Sequence, residues 1–540
     1  MALPLTGPIS LDDVNVELGT DLGTLAAMGS PTVRGLFLRT TGLVSMSHGY
    51  GQANSVGSWL STTSLFGSTA HHEMDNGWGA QNSSGDTLLT THIRPNPFGN
   101  PFEDEENEDP DPQRPYTGLG FILRDKDGTK LLQSSIDVST VNDWEDGCKG
   151  SLDDNRNIYL AYNDDEVAGR SALVVLKLNS SGVIQWQKSW PQHGKIYDLT
   201  VSGSGDIYIA GLRTSTNSVV SNRAQITKIS TAGTLQWVRL ISSAMNSLGE
   251  HGYKIIVAPS GNIFMSTNHS NSGGNLYEFN PAGVMQGTGI SFTEVSGAGV
   301  PFTIDSNGNI YSFHYINPPE GGGQRAIVMK MNSAGVIQTA WRCGTRNRFM
   351  VYGDLAFNET TGHLAIVSSA SNVPALPFSH SGTCVTELNM TTGTQNFAYN
   401  IRAQYYSTDD FGGEFLSDGE LNGHTMFNSD GGSYHIMAAV GGHPGSGGEY
   451  HMQIDPNDLP VEGTFGLVEL DGADSRDDQP MVTLDAVTYT WVAEPAALNQ
   501  GTISRTASSV TLGAPTNQSF SVEPVTVAVD NYYTISSTTP

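Results

Sequence analysis

The chain has 540 residues, among them 62 glycines, 54 acidic and 26 basic residues, and a formal net charge of -28. That charge repels phosphates and anionic surfaces, which speaks against nucleic acid or an anionic membrane surface as a partner. Cys148, Cys343 and Cys384 show no C-x-x-C spacing, so neither a disulfide framework nor a zinc site is indicated. Glycine at about 11%, against a usual roughly 7%, fits an all-β chain with many tight turns. The start has no basic n-region, and no apolar run reaches the roughly 18 residues of a membrane span; the expectation is folding in the cytosol without membrane insertion.

Residues 1–54 read as a separate small module. Ser10 stands as an N-cap, Asp13 follows in a capping-box-like place and Gly19 closes the segment, which predicts a short helix. A second helical start is Ser30-Pro31-Thr32-Val33-Arg34, with proline at the first helical position. The module ends in Ser45-Met46-Ser47-His48-Gly49-Tyr50-Gly51. The run Gly7-Pro8-Ile9-Ser10-Leu11-Asp12-Asp13-Val14-Asn15-Val16-Glu17-Leu18-Gly19, with Val33-Arg34-Gly35-Leu36 and the Gly-rich stretch to Asn54, resembles the N-terminal module of tail and tail-fibre-like proteins of tailed bacteriophages, marine and cyanobacterial ones above all. The resemblance covers about a tenth of the chain. It implies a virion-attachment module with Ile9, Leu11, Val14, Val16, Leu18 and Tyr50 at the interface, other tail subunits as partners, a homo-oligomer in the particle, and a virion tail protein assembled in the host cytoplasm.

Residues 55–115 are rich in Gly, Ser and Asn and end in Pro101-Phe102-Glu103-Asp104-Glu105-Glu106-Asn107-Glu108-Asp109-Pro110, a run too charged and proline-broken to pack. A solvated linker is expected, with a divalent-cation or basic-partner contact as the functional alternative. Within it, His71-His72-Glu73-Met74-Asp75 is the densest group of metal-type ligands, but adjacent histidines point to opposite sides of a strand and no H-E-x-x-H helix is formed. No cofactor is expected, and no motif supports a structural divalent cation.

Residues 116–470 carry a repeat. Asn157-Ile158-Tyr159-Leu160, Asp206-Ile207-Tyr208-Ile209, Asn262-Ile263-Phe264-Met265 and Asn309-Ile310-Tyr311-Ser312 alternate with hairpins of the form Lys177-Leu178-Asn179-Ser180-Ser181-Gly182-Val183-Ile184-Gln185-Trp186. Hairpin glycines fall at Gly128, Gly182, Gly233, Gly283, Gly335 and Gly393, roughly 50 to 58 residues apart, in the range of propeller repeats. Two hairpins per unit make four strands, and such a sheet buries both faces only between neighbours. The fold class is therefore mainly β, a β-propeller with seven blades favoured and six as the alternative. The hairpin Leu119–Gly128 lacks an inner pair, and Val482–Tyr489 is the strand read as closing the ring on it. Asp305-Ser306-Asn307-Gly308-Asn309-Ile310-Tyr311 resembles the blade motif of NHL-type propellers, without the basic residues by which many of those bind RNA. It and Asp125-Lys126-Asp127-Gly128 begin like calcium loops, but Ile316 and Ile136 stand where an EF-hand needs glutamate, so both read as hairpin turns.

Residues 471–540 turn acidic and then Thr/Val/Ser-rich with strand alternation; a small β-sandwich and added strands both fit. Sialidase-like blades carry an S-x-D-x-G-x-x-W box; Ser202-Gly203-Ser204-Gly205-Asp206 comes nearest and has the wrong order, and no G-x-S-x-G elbow is present. The expectation is a protein that is not an enzyme. Trp190, His193, His314, Tyr315, Tyr405 and Tyr406 stand beside turns as candidate ligand-binding residues, rings that stack on a host-surface glycan. The leading reading is a tail or tail-fibre component presenting a propeller for host-surface contact, its alternatives a polysaccharide-degrading tail enzyme and a purely architectural connector.

Overall fold

In the computed structural model of the chain, the residues described are 59–63, 72–95, 116–126, 128–141, 148–164, 172–190, 193–213, 223–241, 250–269, 273–292, 295–296, 300–316, 325–343, 348–371, 381–408, 414–428, 432–441, 448–460, 462–466, 481–487, 491–493, 500–503, 507–509, 516–517, 522–524 and 530–534. The two helical starts and the attachment residues Ile9, Leu11, Val14, Val16, Leu18 and Tyr50 lie outside them. Two compact units are distinguished: Met1–Leu60, Met452–Val461 and Tyr532–Pro540 make one, Ser61–His451 and Glu462–Asn531 the other. In the smaller unit, Asp455 and Asp458 form an isolated bridge, and the Asp455 carboxylate accepts the Asn457 backbone N–H at 2.8 Å.

The larger unit is built of antiparallel meanders. His72–Gln81, Thr87–Pro95, Tyr116–Arg124 and Lys130–Val141 form the first sheet, and Lys149–Leu152, Ile158–Asp164, Ala172–Leu178 and Ile184–Trp190 the second. The third holds Lys195–Val201, Ile207–Arg213, Arg223–Ile229 and Leu235–Ile241; the fourth holds Glu250–Val257, Ile263–His269, Gly273–Phe279 and Met285–Phe292. Phe302–Ile304 with Val295–Ser296, Ile310–Ile316, Arg325–Met331 and Ile337–Cys343 make the fifth. The last runs from Arg348–Asn358 through His363–Ser371, Ser381–Asn389 and Gln395–Thr408 into Glu414–Asn428 and Tyr434–Gly441. First strands of successive sheets touch in order, and Glu414–Asn428 packs against His72–Gln81, which closes the ring. This is a β-propeller arrangement of six sheets. Seven separate blades, the favoured count, are not confirmed: Ala403–Thr408 pairs with Glu414–Gly419 and joins what the spacing counts as two units into one sheet.

Two further expectations are corrected. The inner pair of the hairpin at Gly128 lies before it, in His72–Gln81 and Thr87–Pro95, within the stretch read as linker, where Gly/Ser/Asn content hides the strands. Met481–Ala486 pairs instead with Tyr399–Gln404 and with Gly463–Gly466. From there the chain runs back around the rim, adding an outer antiparallel strand to each preceding sheet in reverse order. Trp491–Ala493 joins the fifth, Gln500–Ile503 the fourth, Ala507–Ser509 the third, Thr516–Asn517 the second and Val522–Pro524 the first. Edges that would template foreign strands are thereby covered.

Alternation along a strand explains why the repeat phrase is apolar throughout. Successive side chains face opposite sides, so Ile158, Leu160 and Tyr162 enter the core shared with the first sheet while Tyr159 and Ala161 enter the core shared with the third. Turn chemistry explains the aspartates. The Asp305 carboxylate accepts the Asn307 and Asn309 N–H groups at 3.0 and 2.7 Å, the Asn309 amide at 2.8 Å and the Tyr311 hydroxyl at 3.1 Å; Asp153 does the same with Asn155, Asn157 and Tyr159. These carboxylates serve the turn's own donors, in the hairpin role expected of the Asp305 segment.

Neighbouring sheets are locked at the outer hairpins. Gly233 has φ +74°, and a Cβ there would sit 3.0 Å from the Trp186 indole, whose Nε1 donates to Thr231 O at 3.0 Å. Trp237 on Gly283 and Trp341 on Gly393 repeat the contact from one sheet to the next. Gly233→Ala is expected to lower stability by about 2 kcal/mol, from left-handed backbone strain plus the indole contact. The comparison is Gly261→Ala, at φ +84° with nothing within 4 Å of its Cβ. Urea midpoints showing equal losses at the two positions would remove the Trp186 lock from the account.

Candidate functional site

The second strand of each sheet supplies a ruler. Opposite its fourth residue, on the innermost strand, stand Trp78 (paired with Thr90), Lys149 (Ala161), Asp198 (Ala210) and Lys254 (Ser266) in the first four sheets, and opposite the fifth residue of His363–Ser371 in the last sheet stands Asp354 (Val367). A register shift directly precedes Trp78, Asp198 and Lys254, and another falls just before Gly353. Such bulges bend a strand and re-aim a side chain. Here they turn one layer of side chains toward the axis: Lys254 Nζ, on the fourth sheet, reaches the Asp354 carboxylate on the last sheet, passing over the fifth.

The layer alternates in charge. Lys149 lies 4.4 Å from the Trp78 ring centroid, Lys149 and Lys254 both act electrostatically on Asp198, and Lys254 pairs with Asp354. Asp198 is 3% exposed; its Oδ1 accepts Leu199 N–H at 2.6 Å and its Oδ2 accepts Ile255 N–H, on the next sheet, at 2.7 Å. Burial pushes its pKa up to about 7, against the pull of those two N–H groups and the two lysines. A carboxyl that holds its proton near neutral pH stands in the same layer as one held in an ion pair, the kind of division acid–base chemistry uses. Among the described residues no group of three or more His, Cys, Asp or Glu could hold a metal ion.

Sequence reasoning missed this layer, although a signal was present. Lys149, Asp198 and Lys254 each stand nine residues before Ile158, Ile207 and Ile263, a charge at the same place in three successive repeats. Asp354 stands ten before Leu364 because its turn is one residue longer.

The candidates singled out for stacking have other places. Trp190 is fully buried at the end of its strand, in the core between the second and third sheets. His193 is fully buried as well: Gln225 Nε2 donates to its Nε2 at 2.7 Å, Thr227 Oγ1 lies 2.8 Å from the same nitrogen, and desolvation lowers its pKa to about 4. His314, 3% exposed, bonds the Ser312 hydroxyl at 2.9 Å and is lowered to about 3 by burial. These three therefore fill the interior and offer no ring to a surface glycan, which corrects their reading as exposed loop residues. Tyr315 lies in the strand paired to Ala326, and Tyr405 and Tyr406 in the strand segment paired to Ser417 and Leu416. His72, Glu73 and Asp75 lie in the first strand of the first sheet. Tyr405 and Tyr406 are neighbours in that strand.

No known protein family and no curated protein matches the chain. Solved structures do. The intramolecular trans-sialidase from Ruminococcus gnavus is similar at 10% identity and TM-score 0.37 over 74% of this chain and 99% of its own. A subtype N10 neuraminidase-like protein of a little yellow-shouldered bat isolate from Guatemala is similar at 9% identity and TM-score 0.33 over 73% and 98%. A levansucrase of B. megaterium is similar at 10% identity and TM-score 0.28 over 61% and 87%. Enzymes thus stand among the solved structures similar to this chain, and the expectation that the protein is not an enzyme is withdrawn. At these values the likeness assigns no activity and no substrate to this chain.

Proposed function

We propose that this chain is a tail component of a phage particle whose propeller meets a host-surface polysaccharide and cleaves its glycosidic bonds at the axial layer. The observation that carries the chemistry is the layer Asp198–Lys254–Asp354, in which burial raises the pKa of one carboxyl to about 7 while its counterpart is ion-paired. In this reading Asp198 and Asp354, 3% and 5% exposed, act once substrate entering along the axis parts the layer: Asp198 gives its proton to the leaving oxygen, and Asp354, positioned by Lys254, takes one from the water that attacks the anomeric carbon. The place on a tail rests on the resemblance of residues 1–54, with other tail subunits and further copies of the chain as partners.

Attachment and cleavage support each other physically. Many copies on one particle turn weak contacts into firm adsorption, and cleavage lets the particle advance through what it holds. The test is release of reducing ends from purified host envelope polysaccharide. The wild type is expected to release them, with Asp198→Asn and Asp354→Asn each slower by about 100-fold or more. Absence of release by the wild type would sink the cleavage, and release by both variants at the wild-type rate would sink the assignment of these carboxyls.

A further inference from the structure

The outer strands contributed by the C-terminal segment are short and shallow. After Met481–Ala486 they make three residue pairs on the fifth sheet, four on the fourth, three on the third, two on the second and three on the first. Val492 is 45% exposed and Ala493 is exposed too. Main-chain ladders seat this strap, and its release would uncover five edge strands.

Each short ladder is weak alone and is kept in place because its neighbours tether it, so its occupancy depends on effective concentration. An identical strand brought close by another molecule competes on equal terms, with every residue pair preserved. The edges are complementary in register to one known sequence, that of residues 491–524 of this same chain. Main-chain pairing to an exposed sheet edge is an established way to join chains.

We propose that the C-terminal strap is an exchangeable strand donor and that the partner it fits is a second copy of this chain, whose outer sheet edges it occupies in trans. This inference is independent of the reading of the axial layer. At high local copy number the strap links propellers rim to rim; in dilute solution it folds back on its own rim, as seen here.

The test uses full-length protein and the pair Ser135–Glu523, which face each other between the first sheet and the strap. The native thiols Cys148, Cys343 and Cys384 are all buried and form a quiet background. Paired positions across an antiparallel ladder lie within disulfide reach. Ser135→Cys and Glu523→Cys proteins are mixed over a range of concentrations in mild denaturant, returned to buffer and oxidised, with the doubly substituted chain treated alone in parallel. The expected result is a covalent dimer from the mixture, its yield rising at least tenfold across the range, and an internal disulfide in the dilute double variant. A mixture that stays monomeric at all concentrations while the double variant closes internally overturns exchange. A double variant that never closes overturns the strap's seat on that edge. Ser291→Cys with Gly501→Cys repeats the test on the fourth sheet, so poor folding of one pair does not decide the matter.

Discussion

Lys254→Met is expected to destabilise the propeller by about 3–5 kcal/mol, the usual consequence of removing one partner from a buried ion pair. Lys254 and Asp354 have side chains only 16% and 8% exposed, so solvent screens the pair little. The substitution takes the Lys254 ammonium from Asp354, which keeps among its partners the Leu355 N–H at 2.9 Å, and deprives Asp198 of one of its two nearby lysines. Because the pair joins sheets that are not neighbours, the loss falls on closure of the whole ring. Urea unfolding of the single variant measures it. Adding Asp354→Leu to Lys254→Met should restore most of the stability, since replacing both members by apolar groups removes the stranded charge. A loss below about 1 kcal/mol for the single variant would place the pair among solvated surface contacts and contradict its position on the axis.

How far the fold was legible follows from which residues carry local instructions. Gly128, Gly182, Gly233, Gly283, Gly335 and Gly393 all have φ between 72° and 81°, so the hairpin spacing read from glycine alone marks real turns. The Asp–Asn–Tyr phrase is legible for a similar reason: Asp305 and Tyr311 bond each other within a single turn and strand. Ring closure was not legible, because it depends on pairing between distant segments. Thr87–Pro95, with its Thr-Leu-Leu-Thr-Thr-His-Ile, was obscured by the glycine- and serine-rich residues around it. The strap carries strands of two to four residues whose register is set by the edges they meet, and nothing in their own sequence names those edges.

The candidate residues teach the converse lesson. Trp190 and His193 adjoin a connection between sheets, and a ring beside a turn invites a surface reading. In a propeller both faces of a blade are covered, so a strand's last residue can be as buried as its middle. Trp190 is 0% exposed for this reason. The axial layer was hidden differently. Each of Lys149, Asp198, Lys254 and Asp354 is one charge among the mixed residues of its own segment, and the pattern exists only when the repeats are laid over one another.

Stability should fall as pH rises from about 4 to about 7, and Asp198→Asn should remove that component of the fall. The sign follows from the direction of the shift. The Asp198 carboxyl has an ordinary value of 3.8 when the chain is unfolded and about 7 when it is folded, so the native state binds its proton more tightly. Its contribution is fully present below about 3.8, declines between the two values as the unfolded chain releases the proton first, and is lost above about 7. A difference of this size corresponds to at most about 4 kcal/mol. Asparagine does not ionise, so the variant lacks this slope, but its amide nitrogen cannot accept from Leu199 or Ile255 N–H and costs about 1–2 kcal/mol at acid pH. The two stability curves should therefore cross, the wild type being the more stable near pH 4.5 and the variant near pH 8. Urea midpoints at these two values decide it. Parallel curves would mean that Asp198 is ionised throughout, and with that the acid assigned to the axial layer would be gone.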